Sequence, residues 1–179
     1  LFREGLEVLR RLLDGAPVDH DGAFFPLHEA TVRPGAPVPL LIGGVADGAI
    51  RRAGELGDGW IMAPFGSLED FGRGWSIARA AAAAAGKEPD SLIAGRLLYV
   101  AVDDDRARAR EALGTFLHGY YGPGFDVDQH AIFGPAGEVA ARLREQVDAG
   151  ISHLMLGVPT LDHDHLRRLA EEVAPALRA

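Results

Sequence analysis

No cysteine occurs among the 179 residues, which excludes disulfides, thiolate metal sites and a cysteine nucleophile. Long apolar runs are missing as well. None approaches the roughly 18 residues of a membrane span, and the N-terminus lacks the charged segment and apolar core of a secretory signal. These absences fit a soluble, cytoplasmic protein. Positive charge is in deficit, with 18 Lys and Arg against 26 Asp and Glu and a net charge of -8. Such a balance disfavours nucleic acid and anionic membranes, so a small molecule is the expected partner. Several catalytic signatures are absent too. There is no G-x-S-x-G elbow, no G-x-x-x-x-G-K-[ST] run, no His pair at i and i+4, and no carboxylate pair of diagnostic spacing. The chain opens on Leu1, not Met, already within a helical pattern. It therefore reads as one α/β domain over residues 1–179 that belongs to something longer.

What the sequence does contain is one unit repeated. In residues 39–63 an apolar run ends in Gly43-Gly44, a helix-period segment follows, and Gly57-Asp58-Gly59 turns into a second apolar run at Trp60. Before it, Leu1, Leu6, Leu9, Leu12 and Leu13 form one face of an amphipathic helix stopped by Gly15 and Pro17. Residues 16–27 read as a short hairpin turning at Asp21-Gly22, with Phe24-Phe25 in its second arm, and 28–38 as an irregular connector. After it, residues 67–85 form a helix, with Ser67 and Asp70 spaced as a capping box. Strands are expected at 95–102 and 151–158, and helices at 135–149, at 161–177 and, after a turn and acidic start at Asp103-Asp-Asp105, to about 120. Short apolar strands alternating with helices imply a parallel sheet with right-handed crossovers. Half of an eight-fold barrel and a small doubly wound sheet both satisfy that pattern.

Gly43-Gly44 is the sharpest local signal. Glycines between a strand and a helix let backbone approach a ligand, and the free amides of Gly44, Val45 and Ala46 attract a phosphate or carboxylate. The same two residues also make a plain tight turn. Asp47 opposes an anion there unless it is neutralised or serves the helix start. Asp58, Trp60 and Met62 read first as turn and core residues. His153 is either a layer histidine or a residue pointing into a barrel. Asp162, His163, Asp164 and His165 suit a solvated helix start better than a metal site. Arg96, read as the second residue of its strand, is expected to reach solvent.

Several segments together resemble the bacterial luciferase-like flavin-dependent monooxygenases and deazaflavin-dependent oxidoreductases. They are Pro39-Leu-Leu-Ile-Gly-Gly44, Ala49-Ile-Arg-Arg-Ala-Gly-Glu-Leu-Gly-Asp-Gly-Trp60, the helix and hairpin of 4–25, and the passage from Phe133-Gly-Pro135 to Gly150-Ile-Ser-His-Leu154. The resemblance implies a TIM-type (β/α)8 barrel of which this chain holds roughly the C-terminal half, strands five to eight, with a short insertion hairpin. It implies an oxidoreductase or monooxygenase that uses FMN or a deazaflavin on a small organic substrate. The cofactor-binding residues it points to are Ile42, Gly43, Gly44 and Val45, and it names no catalytic residue and no metal. A relative that keeps the fold as a non-catalytic binding or assembly module is the alternative, with Val45 and Asp47 as its departures. Half a barrel exposes sheet edges and an apolar interior. It is expected to associate with a copy of itself or with the missing half, and to be inactive alone.

Overall fold

Aliphatic strands with glycine at their ends pair in parallel to build the sheet. The computed structural model describes residues 1–178. Strands β1 (Val18–His20) and β2 (Leu27–Ala30) form a separate antiparallel pair after helix α1 (Phe2–Leu13). The hairpin is thus present, but its second arm begins at Leu27. Phe24 and Phe25 lie in the loop because both backbone amides donate to Glu4 Oε1, at 3.0 and 2.9 Å.

The main sheet runs β3 (Leu41–Gly43), β4 (Gly59–Met62), β5 (Ile93–Val102), with β6 (Ala131–Gly134) and β7 (His153–Gly157) both on β5. All pairings are parallel. Gly95 partners Ile61 and His153, so β4 and β7 occupy opposite edges of β5. Tyr99 partners Ala131 and Gly157, which puts β6 on the β4 side, beyond the point where β4 ends. β6 had no counterpart in the sequence reading. Four residues without alternation, between a turn-rich loop and a helix, give no period to detect.

Register sorts the side chains into two faces. Ile42, Trp60, Met62, Ala94, Leu98 and Val100 point to the outer face, where they pack with helices α2 (Asp47–Leu56), α3 (Leu68–Ala84) and α6 (Ala136–Asp148). Trp60 is fully buried and stacks on Phe71 at 5.5 Å. The α2–α3 contact is close because Gly54 of α2 faces the Ala78 backbone of α3. Lys87 donates to the Gly54 and Gly57 carbonyls at the C-terminal end of α2. The capping box at α3 is complete, with Ser67 Oγ accepting from Asp70 N and Asp70 Oδ2 accepting from Ser67 N.

The other face carries Leu41, Gly43, Ile61, Gly95, Leu97, His153, Met155 and Gly157. No helix covers its β3, β4 and β7 part among the described residues, and Met155 is 56% exposed. Over the second half of β5, helix α4 (Arg106–Tyr121) and the short α5 (Val127–His130) close this face around Tyr99 and Ala101. A doubly wound sheet would carry helices on both faces throughout. The last helix starts at His163, as α7 (His163–Arg168), and continues through wider and tighter turns to Leu177. No helix among the described residues is long and apolar enough to cross a membrane.

Candidate functional site

The C-terminal ends of β3 and β4 meet the N-termini of α2 and α3. Gly44 turns the chain with φ +150, and a Cβ there would stand 2.5 Å from Ala49 Cβ. Glycine is therefore required by the chain itself. The turn is pinned by Trp60, whose Nε1 donates to Gly44 O at 2.8 Å. Gly43 is the opposite case. A Cβ on it would meet only Ile61, at an ordinary 3.6 Å, so nothing in this chain demands glycine. The space it leaves opens onto the uncovered face of the sheet.

Of the other predicted site residues, Ile42 is buried and packs against the α2 core, so only its backbone is available at the turn. Val45 is 59% exposed beside the helix start. Ala46 is the N-cap of α2 and supplies no side-chain cap. The first amides of that helix are left to solvent or a ligand. Asp47, which argued against an anion, accepts from Arg73 Nη1 at 2.8 Å, and that bond lowers its pKa. Its charge is countered from α3. Val45, Trp60, Met62, Phe65, Gly66 and Arg73 line a cleft of about 270 Å³ between the two helix starts.

Asp58 lies at the start of β4, away from this end. It binds Arg10 at 2.9 Å and Leu40 N at 2.7 Å, a turn residue tying α1 to the sheet. His153 is also at the far end. It is the first residue of β7, and its Nδ1 is 3.0 Å from Ser152 Oγ.

An aromatic group beside the β4 end went unseen in the sequence. Phe65, just after β4, contacts Tyr121, Phe125 and His130 at centroid distances of 5.5, 5.9 and 5.3 Å. Tyr99 reaches Tyr121 through a 2.7 Å hydroxyl contact, and burial with that bond raises its pKa, which keeps it neutral. A second cleft of about 380 Å³ is lined by Phe65, Tyr121, Phe125, Gln129 and His130. The density of aromatics at Phe116, Tyr120, Tyr121 and Phe125 was the available signal. It spans a helix end and a loop, so no single period carries it.

His165 is buried, and its Nε2 accepts from Val102 N at 3.0 Å, closing the end of β5. This assigns its proton to Nδ1. Burial lowers its pKa from 6.5, against Asp162 and Asp103, which raise it, and with Arg168, which lowers it further. A histidine held neutral by the fold contributes stability that is present above its unfolded pKa and lost as pH falls through the lower folded value. Thermal unfolding measured from pH 8 to 5 is expected to show the wild type losing stability below about pH 6.5 more steeply than His165→Gln. Parallel profiles would refute this account of His165.

The family model for luciferase-like monooxygenases matches residues 1–124. The chain belongs to that family. An F420-dependent glucose-6-phosphate dehydrogenase of Beutenbergia cavernae is 29% identical over 206 residues, covering 99% of this chain and 60% of the relative. A 5,10-methylenetetrahydromethanopterin reductase of Archaeoglobus fulgidus is 33% identical over 113 residues, covering 62% of this chain and 33% of the relative. In structure, an F420-dependent secondary alcohol dehydrogenase in complex with an F420-acetone adduct superposes with a TM-score of 0.83 at 23% identity, over 98% of this chain and 61% of that one. The chain thus spans about 60% of the length of these full-coverage relatives. Its sheet is a partial TIM-type barrel. Gly43 and Gly44 stand at the C-terminal strand ends, where such barrels carry their sites.

Proposed function

We propose that residues 1–179 form one domain that contributes the second half of a barrel oxidoreductase, acting on a small organic substrate with a deazaflavin or FMN. The observation that carries this reading is Gly43. It is a glycine that its own chain does not need, set on the open face beside a turn that its own chain does need. Space for a flat ring system next to backbone is a reason for glycine there. The uncapped start of α2 suits the cofactor's phosphate, with Asp47 neutralised by Arg73. When bound, the cofactor would supply hydride transfer or oxygen activation. The chain's own part is to bind one edge of it through Gly43, Gly44, Val45 and the Ile42 backbone, and to exclude water with Phe65, Tyr121 and Phe125. The F420 dependence of the glucose-6-phosphate and secondary alcohol dehydrogenase relatives favours the deazaflavin.

The uncovered apolar face supports association with the first half of the barrel or with a second copy. The lack of cysteine fits the cytoplasm. Fluorescence titration of F420 and FMN tests the reading, on the 179-residue chain and on the longest product of its reading frame. Tight, stoichiometric binding by the longest form alone is expected. Turnover by the 179 residues would overturn the half-site reading. Binding by neither form would favour the non-catalytic module.

A further inference from the structure

The sequence placed Arg96 at a strand start reaching solvent, and the structure corrects that. β5 begins two residues earlier than expected, at Ile93, so Arg96 is its fourth residue, inside the strand, on the outer face, and is 5% exposed. Its Nη1 donates to Gln146 Oε1 at 2.7 Å and its Nη2 to Gly66 O at 2.6 Å, while Nε has no partner. Both acceptors are neutral. Asp70, the carboxylate that acts on it from a distance, accepts from the amide and hydroxyl of Ser67 and makes no bond to Arg96. A buried guanidinium without a carboxylate is costly unless an anion or water completes its shell.

Arg96 lines a cavity of about 230 Å³ between the start of α3, β6 and α6, with His130, Arg142, Glu145 and Gln146 among the other walls. Arg142 and Glu145 are exposed at its rim, and no ion pair involving either was found among the described residues. The lining carries two arginines against one glutamate, and Asp70, whose charge also reaches Arg96, lies behind Ser67 outside it. A guanidinium retains donors suited to an oxyanion after two bonds to neutral acceptors. Gln146 is held in place, its Nε2 donating to Arg142 O at 3.4 Å. All walls come from this chain, and the cavity lies on the opposite face of β5 from Gly95 and the cofactor edge.

We propose that this cavity binds a small oxyanion, of phosphate, sulfate or monocarboxylate size, between Arg96 and Arg142. Its occupancy would bear on the mouth of the site, because Gly66 follows Phe65 of the aromatic group and its carbonyl is held by Arg96.

The test is thermal unfolding of the chain titrated with sodium phosphate, sulfate or acetate, at ionic strength held constant with sodium chloride. Separate titrations distinguish inorganic oxyanions from a carboxylate. A saturable rise in melting temperature with at least one of them is expected. Arg142→Gln is expected to raise the half-saturation concentration about five-fold, and Glu145→Gln to lower it a few-fold, as removal of one attractive or one repulsive partly screened charge requires. Both residues are exposed, so these variants keep the fold readable even if Arg96→Gln unfolds. No saturable rise beyond chloride, or the same curve for Arg142→Gln, Glu145→Gln and wild type, would overturn the proposal.

Discussion

Replacing Gly43 with valine is expected to weaken deazaflavin or FMN binding about ten- to a hundredfold, with the melting temperature of the 179-residue chain unchanged within about 2 °C. The two halves of that expectation have separate causes. Within the chain, a side chain at 43 meets only Ile61, at 3.6 Å, and a β-branched residue suits a strand. Toward the open face, the added methyl groups fill the space against which a ring would lie. Overpacking of that size amounts to about 1–3 kcal/mol. Gly44→Ala should reverse the pattern, because φ +150 and the 2.5 Å approach to Ala49 are demands of the fold itself. Its melting temperature is expected to fall. Calorimetric titration and melting curves on both variants decide the matter. Unchanged cofactor affinity in Gly43→Val, in a form that binds the cofactor, would remove Gly43 from the site.

Gly54→Ala is expected to destabilise the chain by about 3 kcal/mol or more, a fall of roughly 6–12 °C in melting temperature for a chain of this size. A methyl group at 54 would overlap the Ala78 carbonyl oxygen and stand 2.8 Å from its carbon. That obstacle is helix backbone and cannot rotate away. Gly54 lies inside α2 and Ala78 is fully buried in α3, so relief requires moving the two helices apart and opening the packing around Ile50, Trp60 and Phe71. Gly72→Ala supplies the control within α3. Nothing lies within 4 Å of a methyl group there. Greater helix propensity should stabilise that variant by up to about 1 kcal/mol. Chemical denaturation of the pair measures the difference, and equal stabilities would contradict the close helix contact.

Much of the architecture is legible in the residues because it rests on local rules. The Ser67–Asp70 box, the acidic helix start at 103–105 and the glycine that ends β3 each act within four residues, and each is found where the spacing puts it. Segment 28–38 and strand β6 fail for the complementary reason. Leu27–Ala30 is a strand because Val18–His20 lies beside it, and Ala131–Gly134 because β5 extends past β4. Neither partner is visible from the segment itself.

The candidate site divides in the same way. Gly43-Gly44 is marked in the sequence by its place between an apolar run and a helix. Which of the two glycines serves the fold and which leaves space was decided by register, since Gly43 faces Ile61 across β4 while Gly44 meets Ala49. The neutralisation of Asp47 needed Arg73, 26 residues away. Joining Phe65 to Tyr121 and Phe125 likewise needed α4 and α5 to close over β5. The burial of Arg96 followed from two more residues at the start of β5 and from Gln146 on α6. The sequence by itself determined the alternation of strands and helices, their caps and the glycine turn, because those depend on backbone freedom and period over a few residues. Tertiary structure alone decided which faces are covered, which charges meet and where space is left, because those depend on contacts between segments far apart in the chain.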